Sequence, residues 1–284
     1  MLERSSILYS MNRLSTKRRA QIIASLVEGT SVRGTARITG AAKGTVLKFL
    51  ADVGAACADY QDKALRNLPC RRIQCDEIWS FCFAKEKNLR PELKGKFGYG
   101  DVWTWTAICA DTKLVPSWLV GYRDAEHARI FLSDLEERLT YRVQLTTDGH
   151  TAYLPAVEDV FGDNADYCQL IKLYGKDSES EKRYSPPKCV GTERRKINGE
   201  PDPQHVSTSF AERNNLTLRM SMRRFTRLTN AHSKKVENLE HALALHFMHY
   251  NFARIHSTLR VTPAMEAGVA DHVWELEELL NTVS

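Results

Sequence analysis

Gln144-Leu-Thr-Thr-Asp148-Gly149 is the stretch from which the rest of the chain is read. With Val143 before it, it is a short apolar strand carrying a carboxylate at its tip. The glycine that follows lets the backbone turn away and leaves Asp148 exposed. A single aspartate at a strand end is commonplace. A second strand, Arg72-Ile-Gln-Cys-Asp76-Glu-Ile-Trp79, carries another acid inside it, and a later helix opens with Ser209-Phe-Ala-Glu212-Arg-Asn-Asn215. Three separated acids on compact elements are the ligand set that a divalent cation needs.

Converging carboxylates repel one another, so a fold keeps them ionised by supplying a cation, and all-oxygen ligation favours magnesium or manganese over zinc. Two such ions can activate an attacking oxygen and stabilise a leaving one in a phosphoryl displacement. The alternative is that Asp76, Asp148 and Glu212 are unrelated, because glutamate near a helix start is favoured by the helix dipole alone. The sequence holds 35 acids, and spacing does not by itself choose three.

Outward from Asp148 the periods alternate between strand and helix. Ile73–Phe83, Asp101–Ala110 and Leu114–Gly121 read as three strands with short connections, hence an antiparallel meander. Ala125–Leu139 has apolar residues at helical spacing, Val143–Asp148 is a strand, Ala152–Phe161 a helix and Tyr167–Leu173 a strand. This alternation predicts an α/β fold with a mixed sheet covered on both faces.

Ahead of the sheet, residues 14–50 read as three short helices. Ser15 and Ser31 are placed to cap the first two, and Thr39-Gly40 breaks the chain before the third. This is the spacing of a helix-turn-helix, in which Lys43, Thr45 and Lys48 would meet DNA; a plain three-helix cap with solvated lysines is the alternative. The third helix continues past Leu50 as an apolar stripe of Val46, Phe49, Leu50, Val53, Cys57, Tyr60, Ala64 and Leu68, which serves either docking within the chain or self-association. Pro69 ends it, placing a domain boundary near residues 66–70. The expected division is a flexible 1–13, a helix-turn-helix region with its linker helix at 14–68, a catalytic domain at 69–270 and a C-terminal helix or tail at 271–284.

Residues 175–205 read as a basic loop. Pro186, Pro187, Pro201, Pro203, Gly191 and Gly199 oppose long regular structure, while Lys176, Lys182, Arg183, Lys188, Arg194, Arg195 and Lys196 load it with charge. It is either solvated or laid along DNA. The helix Phe210–Phe225 then places Glu212, Asn215, Arg219 and Arg223 on one side, with Leu216 and Met220 turned inward. In Val236–Phe252, His241, His246 and His249 lack zinc spacing and read as core or surface histidines.

Bulk properties agree with a DNA partner without requiring one. The chain has 284 residues, 43% of them hydrophobic, and a net charge of +5 from clustered basic residues. Seven scattered cysteines with no Cys-x-x-Cys pair read as reduced thiols of a cytoplasmic protein, no apolar run approaches the length of a membrane span, and a DNA partner would make the protein nucleoid-associated.

Taken together, Gln74-Cys-Asp76-Glu-Ile-Trp79-Ser, Thr146-Thr-Asp148-Gly-His150, Ala211-Glu212-Arg-Asn-Asn215 and the tail His249-Tyr-Asn-Phe-Ala-Arg254-Ile-His256-Ser-Thr-Leu259-Arg-Val-Thr262-Pro263 resemble bacterial DDE insertion-sequence transposases of the founding, insertion-sequence-one group. Asp148 follows Asp76 by 72 residues and Glu212 follows Asp148 by 64, which suits the order aspartate, aspartate, glutamate. Arg219 occupies the basic position seven residues beyond the glutamate. The resemblance implies a ribonuclease-H-like fold with a mixed five-stranded sheet, and a homo-oligomer that cuts element ends and joins the freed 3′-hydroxyl to target DNA. It implies Asp76, Asp148 and Glu212 as ligands of two magnesium or manganese ions and Arg219 as a phosphate or transition-state contact. Asn215 would be a polar neighbour facing DNA together with Arg223, and His256 either approaches the site or is a structural cap. Glu77 should point to the opposite strand face and is not part of the expected set. The sequence departs from the group in lacking a cysteine-paired zinc module before residue 14. A DNA-binding regulator and a nuclease without strand transfer are the other functions considered.

Overall fold

The strands on either side of Asp148 belong to one six-stranded sheet. In the computed structural model, which describes residues 14–175, 189–226 and 229–282, the strands are β1 (Arg72–Cys82), β2 (Gly100–Cys109), β3 (Trp118–Gly121), β4 (Val143–Thr147), β5 (Ala165–Tyr174) and β6 (Cys189–Asn198). Their order across the sheet is β3-β2-β1-β4-β5-β6. The first three form the antiparallel meander that their short connections predict, β4 and β5 run parallel to β1, and β6 returns antiparallel to β5.

The sixth strand corrects the expectation of five and of an irregular basic loop over 175–205. β6 sits at the sheet edge with both faces largely exposed, so it needs no apolar alternation and shows none. Its prolines lie outside Cys189–Asn198, where they do not interrupt the pairing. Arg194, Arg195 and Lys196 therefore stand on a strand, opposite Leu170, Gln169 and Cys168 of β5. Lys176, Lys182, Arg183 and Lys188, like residues 1–13, lie outside the described residues.

The pleat decides which layer each acid of β1 meets. Glu77 pairs with Trp105 and Asp76 with Thr106. Trp105 packs against Phe131 of α4 (Ala125–Glu136) and Tyr153 of α5 (Tyr153–Phe161), which cover one face. On the other face lies α6 (Ser209–Ser221), against β1 and β2. α6 stops at Ser221 because Met222 is extended, so Arg223 leaves the helix and begins a 3-10 turn, contrary to the longer helix expected. Leu216 and Met220 face solvent, the latter 74% exposed, while Ala211, Asn214, Asn215 and Leu218 form the inner side.

The N-terminal helices are α1 (Thr16–Val27), α2 (Val32–Thr39) and α3 (Lys43–Ala64). Ser15 and Ser31 cap the first two as their positions predict, and Gly40 takes the left-handed conformation at φ 66° that closes α2. α3 ends four residues before the expected Leu68. Its apolar stripe docks on α7 (Glu237–Met248), where Gly54 lies against the His241 backbone and a Cβ would stand 2.5 Å from the His241 carbonyl oxygen. Gln61 Nε2 donates to the Ala244 carbonyl at 3.0 Å. The stripe is thus covered within the chain, and it is not the self-association seam that patterning left open.

α7 passes into a π turn, His249–Ala253, whose Asn251 accepts from the Val115 amide at 3.0 Å and donates to its carbonyl at 2.9 Å. His256 bonds Thr258, and Thr262 caps α8 (Pro263–Glu266). α9 (Leu276–Asn281) packs on α1. All seven cysteines are free thiols. Among the described residues no helix is long and apolar enough to cross a membrane.

Candidate metal centre

β1 runs past its parallel partner. Pairing with β4 ends at Gln74 and Thr146, so from Asp76 onward the β4 side of β1 is open. Strand connections leave toward β2 on one side of this point and toward β5 on the other, which makes it the switch point where open α/β sheets place their sites. Asp76 and Asp148 both reach this notch. Gly149 adopts no left-handed conformation; its lack of a side chain instead admits Ile171, which would lie 3.1 Å from a Cβ there.

Ligand oxygens of Asp76, Glu77 and Asp148 lie within 4.8 Å of one another. Glu77 does point to the α4/α5 face, as alternation predicts, but its longer side chain reaches the end of β4 from behind. Alternation alone therefore sets aside a residue that belongs to the cluster. Arg123 is a second residue that sequence reasoning misses: it bonds Glu77 Oε2 at 3.2 Å, approaches Asp148 Oδ2 at 3.7 Å and lies over the Trp103 ring. Its position before the Asp124 cap of α4 shows that it sits on a loop and nothing about where its side chain goes.

Burial, then the charge of Asp148, pushes the Asp76 carboxyl up to about 6, and burial with Asp148 and Asp76 pushes Glu77 up to about 7. Asn215 opposes this by donating Nδ2 to Asp76 Oδ2 at 2.8 Å, and the Glu77 amide donates to Asp76 Oδ1 at 2.9 Å. Asn215 is 5% exposed, so it holds Asp76 from within instead of facing outward. Glu77 Oε1 and Asn215 Oδ1 are buried without hydrogen-bond partners among the described residues.

Glu212 stands on the far wall of the same cleft, about 590 Å³, lined also by Asp76, Asp148, His150 and Lys172. It is outside the tight cluster, though near enough to raise the Asp76 pKa. Lys172 of β5 pairs with Glu212 Oε2 at 2.5 Å and Thr208 donates to Oε1 at 2.5 Å. Lys172 is not anticipated by the sequence either, because its pairing with Glu212 crosses from an exposed strand end to a helix. His150 donates its amide to Asp148 and stacks on Trp105 at 5.9 Å.

Two mutually repelling carboxylates in a desolvated notch, a third oxygen without a donor and a fourth acid across the cleft fit a hard divalent cation with all-oxygen ligands. Lys172 and Arg123 supply the positive charge that faces these acids. Of the other expected residues, Lys43, Thr45 and Lys48 are exposed at the start of α3, Arg223 is exposed after α6, and Arg219 is half-buried within α6.

No protein-family model and no curated protein sequence matches this chain. Among solved structures, the Mos1 strand transfer complex aligns at 14% identity and TM-score 0.24, over 55% of this chain and 58% of that one. The Mos1 transposase paired-end complex with left transposon end aligns at 14% and 0.23 over 55% and 59%, and a pre-cleavage Mos1 transpososome at 10% and 0.21 over 55% and 60%. The chain spans somewhat under three-fifths of the first of these. Superpositions at such scores do not establish a shared fold.

Proposed function

We propose that this protein is a divalent-metal-dependent DNA transposase with a ribonuclease-H-like catalytic domain, of the DDE type that the sequence motifs resemble. The carrying observation is that Asp76 and Asp148 meet at the notch where β1 outruns β4, with Glu212 on the same cleft. An antiparallel meander followed by two parallel strands, with the first acid on the central strand and the second after the fourth, supports the same reading.

Asp76, Asp148 and Glu212 would hold the ions, magnesium or manganese, with Glu77 beside them. Bound divalent ions supply activation of the attacking oxygen and stabilisation of the leaving oxygen in an in-line displacement at phosphorus. Asn215 fixes the Asp76 carboxylate toward the cleft. Arg123 keeps Glu77 and Asp148 together, and Lys172 pairs with Glu212, which would have to exchange that partner in order to hold an ion. Water attacks first and releases a 3′-hydroxyl, which then attacks target DNA in the same geometry. Lys43, Thr45 and Lys48 on the exposed start of α3 would contact element ends. Arg194, Arg195 and Lys196 on β6, with Arg219 and Arg223, would contact phosphates. Holding two ends calls for a homo-oligomer.

Incubating the full chain with end-bearing DNA and magnesium tests the reading. Nicking followed by joining is expected; binding without cleavage points to a regulator, and cleavage without joining to a nuclease.

A further inference from the structure

A second cavity lies away from the acidic notch, between the N-terminal helices and the end of α6. Its volume is about 750 Å³, and it is walled by the α1–α2 turn, the start of α3, residues 222–224 and 229–234, and the inner side of α7. Gly29 packs so closely on the end of α6 that a Cβ would lie 3.1 Å from the Ser221 carbonyl oxygen, so this wall is a true seam between the two parts.

The charges of the lining are one-sided. Arg33, Lys43, Arg223, Arg224 and Lys234 contribute five cations, and no carboxylate lines the cavity among the described residues. Arg224 donates Nε to Ser233 Oγ at 2.8 Å and has no ion-pair partner among the described residues. Burial pulls its pKa down to about 10. Glu237 and Glu240 act on Cys82 nearby but pair with none of these cations. Clustered cations with low-dielectric walls and no acids concentrate an anion.

Two histidines also border the cavity: among the described residues, His246 Nε2 and His232 Nδ1 are buried without a hydrogen-bond partner. Buried polar atoms of native proteins are otherwise satisfied. Leu26, Leu47, Leu50 and Leu245 give the remaining wall an apolar surface. Volume, apolar wall and cationic rim together exceed what a bare oxyanion needs and suit a base with its phosphate.

We propose that this cavity binds a nucleotide through its phosphate, with the base on the leucine wall and the phosphate among Arg33, Arg224 and Lys234. The nucleotide comes either free or as one residue of a DNA strand. Its occupancy would tie the N-terminal helices to the end of the helix that carries Glu212.

The experiment uses the full chain in EDTA, so that the acidic centre contributes nothing and the transposase reading stands or falls separately. Inorganic phosphate, deoxyadenosine monophosphate and a single-stranded oligothymidylate are titrated calorimetrically. The monophosphate is expected to bind more tightly than phosphate, and the exposed double reversal Arg33→Glu, Lys234→Glu to weaken it at least tenfold while the circular-dichroism melt is unchanged. Competition of the oligonucleotide with the monophosphate identifies a strand as the source, and binding of the monophosphate alone identifies the free nucleotide. Absence of binding by both nucleotide probes overturns the proposal, as does binding that the double reversal leaves unaltered.

Discussion

In the metal-free protein, Asp76→Asn is expected to raise stability at pH 8 while removing the response to magnesium. The folded Asp76 titrates at about 6 instead of 3.8, chiefly through burial. A raised folded pKa means that the folded state holds a proton which the unfolded chain has lost. Stability is therefore fully present below pH 4 and declines as pH rises through about 6. At about 1.36 kcal/mol per pH unit, the difference costs roughly 3 kcal/mol above pH 7. Asparagine has one acceptor where the carboxylate has two, so one of the bonds from Asn215 and the Glu77 amide disappears. That bond is worth about 1 kcal/mol, leaving a net gain of about 2 kcal/mol. Urea unfolding in EDTA at pH 5 and pH 8 measures it: the wild type should weaken between the two, and the variant should weaken less. A variant that is less stable than wild type at pH 8, or that keeps the full pH slope, would refute the electrostatic account of the notch.

Other expectations are open to equally direct measurement. Gly54→Ala places a Cβ 2.5 Å from the His241 carbonyl oxygen and should cost about 1–3 kcal/mol in a thermal melt, an unaltered melt being inconsistent with the α3–α7 docking. Magnesium at saturating concentration should raise the melting temperature of the wild type by mass action, and Glu212→Gln should reduce that rise if Glu212 leaves Lys172 to join the ions. Neutralising Arg194, Arg195 and Lys196 should flatten the salt dependence of DNA binding by roughly one logarithmic unit of slope for each phosphate that is no longer neutralised. An identical slope would leave β6 as a solvated edge.

Elements with their own local chemistry are legible in the sequence. Ser15, Ser31 and Gly40 fix the ends of α1 and α2 by capping and by a left-handed turn, and these need no information from elsewhere in the chain. The long stripe of α3 and the alternation of β2 are likewise readable from period alone. β6 is not, because an edge strand exposed on both faces carries no hydrophobic period. In α6 the sequence points Leu216 and Met220 inward because apolar residues are the usual inner face. Its actual inner face carries Asn214 and Asn215, and Asn215 serves Asp76. Asp76, Asp148 and Glu212, which spacing alone does not select, are picked out by the motifs that carry the resemblance, and the three line one cleft. Glu77, Arg123 and Lys172 cannot be reached that way, since each enters through the register of one strand against another or through a loop end, which sequence spacing does not encode.

The central claim, that the notch between β1 and β4 cuts and joins DNA, is tested most directly by one comparison. Wild type and Asp148→Asn are incubated with magnesium and duplexes carrying the DNA that flanks the coding sequence, and strand ends are mapped. The account predicts a released 3′-hydroxyl at a defined position and a joined product with wild type. It predicts neither with Asp148→Asn, whose DNA binding is retained. Cleavage by the variant at the wild-type rate, or no metal-dependent cleavage by wild type that binds the same duplex, would contradict it.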